Sequence, residues 1–359
     1  MSHLVEKMFS VRQMPWMGLI DGVSVLGEYP GTWAEARVPA GLQWEPIADN
    51  VYRKTGTKRF EVPQLEPYGM DTNGDVLYKI REVEVVEVPE IEHNADHKHI
   101  VRSDTGKILA VNGKGYTIID NTEMGRILEA VLGTSSNVKY ETAGCLDGGK
   151  MVWALAMLDE PIQLPGDNSE TYPYMAITNR HDGTGACTLR ATAVRIVCAN
   201  TFAASEAEGE RSGATFSFRH SKNWKDHVED AKLAVTGART QMQRYVELAT
   251  DLLATPFNET QRERFITAFI PTPPAGAVTE RVMGNVIESQ DRLRKLFLSE
   301  TTIHVAHTAY GAFQAAGEYL DHLRGARSVE TRFKRTMISP EPGKAKALKL
   351  VREIVAAGV

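Results

Sequence analysis

The 359-residue chain is 42% hydrophobic and 24% charged, long enough to bury a sizeable core in one or two domains plus appendages. Its three cysteines (Cys145, Cys187, Cys198) are odd in number and unpatterned, which excludes a disulfide scaffold and fits a reducing compartment. No apolar run approaches a membrane span, and the opening MSHLVEKMFSVRQMPW lacks the apolar core of a secretion signal, so a cytoplasmic location without membrane contact is expected.

The net charge of −5 argues at first against a nucleic-acid partner, but it hides a gradient. Residues 1–110 hold 12 Lys/Arg against 17 Asp/Glu, whereas residues 322–359 hold 9 against 3. Charge acts locally, within a Debye length of about 10 Å. A polyanion is therefore admissible on particular faces.

Residues 1–110 read as a β-rich N-terminal elaboration with frequent Pro, Gly and Trp. The run REVEVVEVPEIE (Arg81 to Glu92) alternates apolar and acidic residues, the pattern of a half-exposed strand. Its Glu82, Glu84 and Glu87 suit a solvated face and, at an edge, would discourage strand-to-strand aggregation. The stretch His93-Asn94-Ala95-Asp96-His97-Lys98-His99 has metal-ligating residue types. With no downstream carboxylate placed to complete a site, a solvated loop is the favoured reading.

A core of residues 111–270 comes next. Asn121-Thr122-Glu123 opens a helix through Leu132, with Gly133 as its C-cap. Four strand-like runs follow: VKYETAGC, KMVWALAML, YPYMAITNR and TLRATAVRIV. Asp147-Gly148-Gly149 and His181-Asp182-Gly183 supply turn chemistry between them. MVWALAML is apolar on both faces and reads as a central strand. Tyr172, Tyr174, Ala176, Thr178 and Arg180 share one face of the third run by alternation, as do Thr188, Arg190 and Thr192 in the fourth. A helix, RIVCANTFAASEA, is expected to close this βββα unit. Trp224, Val228, Ala231, Val235, Ala238, Met242, Tyr245, Ala249 and Leu252 then follow a heptad seam, which predicts one long helix. That seam suits either packing within the chain or a contact between subunits. Residues 271–359 read as C-terminal helices at 279–298 and 301–322, the second with a shorter seam from Ile303 to Leu320, and a basic tail. The fold class expected is α+β, an antiparallel sheet with long helices C-terminal to it.

No nucleophile-and-base pairing, phosphate loop or zinc spacing is present. His181-Asp182 suits a turn better than a catalytic dyad, and Cys198 suits a small buried residue better than an activated thiol. The coherent set is cationic: Lys150, Arg180, Arg190, Arg195, Arg219, His220, Lys222 and Lys225. Trp153, Tyr172, Tyr174, Phe216, Phe218 and Trp224 are interleaved with it. Cations that track phosphates and flat rings that stack bases are what single-stranded nucleic acid requires.

Several stretches carry a resemblance: YTIIDNTEMGRILEAVLG, YETAGCLDGGKMVWALAML, YMAITNRHDGTGACTLRATAVRIVCANTF, FRHSKNW and HTAYGAFQAAGEYLDHLRGAR. Over about residues 110–349 the chain resembles the phage/plasmid-like proteins of a bacterial domain-of-unknown-function family, with Tyr310 where that pattern leads one to expect Trp. The resemblance implies DNA metabolism of mobile elements. It also implies a core similar to phage single-strand annealing proteins (Red-beta-like and Erf-like), which hold single-stranded DNA in a basic groove between a hairpin and a helix. Those proteins assemble into rings or filaments and use no nucleotide cofactor and no metal. The function expected is single-stranded DNA binding and annealing by a homo-oligomer, with Arg190 and Arg195 as the leading groove candidates. Two alternatives come from other classes. One is a metal-dependent hydrolase acting on nucleic acid through His93, His97 and His181. The other is a structural or anti-defence interaction protein working through the acidic N-terminal half.

Overall fold

The computed structural model describes residues 5–11, 23–133, 138–195, 198–199, 215–274, 276–327, 331, 335 and 342–358. Strands β1 (Val5–Val11) and β2 (Val23–Leu26) are followed by helix α1 (Trp33–Ala40). Next come β3 (Pro46–Met70), β4 (Val76–Arg102), β5 (Ile108–Gly113) and helix α2 (Asn121–Leu132). The predicted limits of α2 hold: Asp120 caps its first turn by accepting from the Glu123 amide, and Gly133 ends it at φ 76°, a conformation a Cβ would strain.

The central strands are β6 (Tyr140–Leu146), β7 (Met151–Met157), β8 (Ile162–Gln163), β9 (Glu170–Arg180), β10 (Cys187–Arg195), β11 (Cys198–Ala199) and β12 (Thr215–Phe218). They join β1 and β2 in one sheet of order β11-β10-β9-β7-β6-β1-β2, with β8 beside β9 and β12 beside β10. Among the described residues only the β1–β2 pairing of this sheet is parallel. The apolar run MVWALAM is β7, central between β6 and β9. The predicted helix after β10 does not begin where expected. Cys198 and Ala199 turn back and pair with Arg195 and Val194, satisfying backbone groups at the outer edge of β10 that a helix would leave open. The rest of that predicted helix, 200–207, lies outside the described residues.

One face of the sheet, carrying Val152, Ala154, Met175, Ile177, Cys187, Leu189 and Ala191, packs with α1, α2 and the residues after β12 into a first hydrophobic core. Helices α3 (Leu233–Ala254), α4 (Glu259–Phe269), α5 (Glu280–Leu296), α6 (Ala309–Glu318) and α7 (Pro342–Ala356) build a second. The heptad run is not one helix. A 3₁₀ turn at Trp224–His227 and a one-turn helix at Val228–Ala231 precede α3. Every seam residue but Val228 is buried: Trp224, Ala231, Val235 and Ala238 in the first core, Met242, Tyr245, Ala249 and Leu252 in the second. The seam is therefore spent inside the chain and offers no subunit contact, and the same holds from Ala306 to Leu320. Tyr310, in place of the expected Trp, bonds the Tyr245 hydroxyl at 3.1 Å in that interior. The predicted basic tail is in part the amphipathic helix α7, which buries Ala347, Leu348, Val351 and Ile354.

The N-terminal elaboration departs most from expectation. β3 and β4 pair antiparallel from Pro46–Arg102 out to Met70–Val76, and β5 flanks only their base. No residue from Ile47 to His99 is buried, so the ribbon is an arm that stands off the body. Beyond β5 it reaches roughly 60 Å at about 3.3 Å per residue. His93 to His99 belong to β4 rather than to a loop. Paired residues of an antiparallel ladder project to the same side. One distal face therefore carries Glu61 with Val85, Pro63 with Val83, Leu65 with Ile80 and Pro67 with Tyr78. The other face carries Lys58 with Val88, Phe60 with Val86, Val62 with Glu84, Gln64 with Glu82 and Glu66 with Lys79, a mixed face in which charged and amide side chains outnumber apolar ones.

Candidate nucleic-acid interface

Strand direction decides which cations meet. β7 starts where β9 ends, β10 starts beside it, and β12 ends opposite Cys187. Lys150, Arg180, Arg219, His220, Lys222 and Lys225 consequently gather at one end of the sheet, although they span 76 positions of sequence. Arg190 lies three residues into β10, opposite Ala176 and Thr215, and is half-buried. Arg195 is at the far end, opposite Thr171 and Cys198, about 17 Å along the strand from Arg190. The two leading sequence candidates thus stand apart, and the cluster forms around the others.

Within the cluster the roles differ. Arg180 forks onto Asp182 with bonds of 3.1 and 2.6 Å. Burial alone would raise the Asp182 pKa, but hydrogen bonds from Arg180 and Thr184 outweigh it and hold the carboxyl down at about 2. This arginine is a turn brace. His220 is half-buried, stacks on Tyr116 at 4.6 Å and bonds the Thr117 carbonyl through Nδ1 at 3.0 Å. Burial lowers its pKa, opposed in part by the bond to the Thr117 carbonyl and by nearby Asp182. Arg219, Lys222 and Lys225 are exposed. Lys225 reaches Glu123 at 3.2 Å and lies over the Trp224 ring; such an exposed pair is worth at most about 1 kcal/mol and yields to a better anion. Lys150 is half-buried, and its backbone carbonyl accepts the His181 amide at 2.8 Å.

Beneath the cations lies a buried polar knot that sequence reading took for an ordinary turn. His181 is fully buried, and its Nε2 meets Asn121 Oδ1 at 2.9 Å. The Asn121 amide nitrogen donates to the Trp44 carbonyl at 2.8 Å, so Oδ1 must accept and Nε2 carries the hydrogen. Trp44 packs edge-on to His181 at 5.8 Å and under Arg102 at 4.3 Å. Arg102 in turn bonds Asp104 and the Gly148 carbonyl. Gly149, at φ 96°, lets this stack close, since a Cβ there would stand 2.7 Å from the Trp44 ring. The arm is therefore rooted at the cationic end of the sheet.

The aromatic half of the expectation fails. Trp153, Tyr174, Phe218 and Trp224 are each under 5% exposed, so their rings serve the interior and cannot stack bases; Tyr172 and Phe216 alone of the six are half-exposed. Among the described residues, no group of three or more His, Cys, Asp or Glu side chains is placed to hold a metal ion. A feature absent from the sequence reading is Asp167, buried in the loop before β9, which accepts from Ser169 N and holds His304 at 2.8 Å. His304, with His307, Thr250 and Thr308, lines a cavity of about 260 Å³. A separation of 137 positions kept that pair out of view. No helix among the described residues is long and apolar enough to cross a membrane.

A family model described as a domain of unknown function (DUF932) matches residues 108–337. No curated protein and no solved structure matches the chain.

Proposed function

The chain belongs to the family described as a domain of unknown function (DUF932), and from that premise we propose that it binds single-stranded DNA and pairs complementary strands, as a phage or plasmid protein working without a nucleotide cofactor. The observation that carries this reading is the collection of Lys150, Arg219, Lys222 and Lys225 at one end of the sheet, on a rigid frame. Phosphates are the natural guests of such a surface, because each neutralised phosphate releases condensed counterions. With most of the aromatic set enclosed, the contact is backbone-tracking: cations hold the strand and leave its bases free. Bases left free can pair with a second strand, so Watson–Crick pairing supplies both free energy and specificity. A groove longer than one subunit suits that task, and assembly into a ring or filament on the DNA completes the proposal.

The test is binding of a labelled oligonucleotide, single-stranded against duplex, titrated with salt. Three phosphate contacts from Arg219, Lys222 and Lys225 give a log–log salt slope of about −2, at roughly 0.7 per contact for single strands. Arg219→Ala and Lys222→Ala should each flatten the slope by about 0.7 and weaken binding uniformly across sequences. Absence of single-strand preference at low salt, or slopes unmoved by both substitutions, would end this proposal.

A further inference from the structure

A two-stranded ribbon is marginal in water on its own and ordinarily needs a third strand or a packed face. The β3–β4 arm has neither beyond β5, yet most of the large apolar side chains exposed among the described residues lie on it. On its distal face Leu65, Tyr78, Ile80, Val83 and Val85 are each half or more exposed. Edge pairing is a poor use of this arm, because Pro63 and Pro67 in β3 and Pro89 in β4 remove donors that a neighbouring strand would need. A face is what it offers. The remaining exposed apolar residues, such as Val25, Leu233 and Leu298, are scattered, so the surface that matches a long apolar face in length and chemistry is a second arm. The dimensions suffice: roughly 60 Å by 10 Å is about 600 Å² per face, at the lower end of the roughly 600–1,000 Å² per partner of a standard stable interface.

We propose that two copies of this chain pair through their arms, distal face against distal face, about a two-fold axis running along the arms. That axis lays β3 of each copy over β4 of the other. Arg59, which pairs with Glu87 at 2.7 Å in its own chain, then also faces Glu87 of the other copy, and the reverse contact repeats it. A two-fold axis across the arms would instead set β3 over β3 and forgo this complementarity. The lengthwise axis also holds the two cationic sheet ends at the same level.

The experiment is the molar mass of the full chain, free of DNA, by sedimentation equilibrium from about 1 to 100 μM. Twice the chain mass is expected. The substitutions Leu65→Glu and Ile80→Glu together, at positions the body does not use, should weaken the dimer by at least about a hundredfold while thermal unfolding of the body is unchanged. Orientation is read by mixing: an Arg59→Glu chain and a Glu87→Arg chain should each self-associate poorly, yet form a mixed dimer together. A wild type that stays monomeric overturns the proposal, as does a mass unmoved by the two glutamates, and absence of preference on mixing overturns the lengthwise axis. None of these outcomes depends on DNA binding, so this inference and the DNA-binding reading can fail separately.

Discussion

His181 shows at the residue scale what the turn beneath the cations costs and protects. Its Nε2 hydrogen is committed to Asn121, and its Nδ1 is buried without a hydrogen-bond partner. Protonating Nδ1 would place a charge where water cannot follow. Burial, reinforced by nearby His220 and only partly opposed by Asp182, pushes the pKa down to about 3 from 6.5. The sign follows from linkage. Above pH 6.5 neither folded nor unfolded chain binds this proton; below it the unfolded chain does and the folded one resists. Stability should fall on acidification from about 6.5 toward 3, by up to about 1.4 kcal/mol per pH unit from this group. Denaturant titrations at pH 7, 6, 5 and 4 check this. In His181→Gln, whose amide nitrogen can replace the Nε2 donor, the acid slope should be shallower than in wild type, and parallel curves would assign the slope elsewhere.

At the scale of elements, α7 and the segment after α6 are joined by one interior ion pair, Lys344 with Asp321 at 2.7 Å, both side chains 1% exposed. Lys344→Ala removes a buried charge partner of Asp321 and should destabilise by up to about 3–5 kcal/mol, whereas Lys344→Met with Asp321→Leu should recover most of that. Differential scanning calorimetry of both variants decides it. Composition could not announce this, since Lys344 reads as one more cation of a basic tail. What was legible follows the same logic. Helix α2 and strands β6, β7, β9 and β10 were readable because period, cap and turn residues are local signals. The members of the cationic cluster were legible as a set, but not its place at one sheet end nor the exclusion of Arg195, because antiparallel pairing brings Lys150 and Arg219 together through strand ends rather than spacing. The arm was half legible: alternation in Arg81–Glu92 marked a strand, but its partner and its detachment from the body are long-range facts. The heptad seam was read correctly as apolar, while the break at Lys232 and its burial on both cores depend on what packs against it.

For the molecule as a whole, the decisive element is α3. Its first half belongs to the core under the sheet and its second half to the helical core, with no break in the helix between Ala238 and Met242. This helix, together with the Asp167–His304 contact, ties the two bodies to one another, and thermal unfolding should be a single cooperative transition. Thr240 is exposed and stands between the two sets of contacts, so Thr240→Pro costs about 3 kcal/mol in helix alone and should split that transition into two in calorimetry. A single transition retained in this variant would show that other contacts couple the halves. The shared helix acts as a spine on which two pages are bound. Cleaving the chain in the Pro-rich stretch between α4 and α5 would leave the pieces clasped, because the helices beyond the cut still grip the same rod, and a displacement of the sheet is delivered to the helical half as leverage rather than absorbed in a hinge.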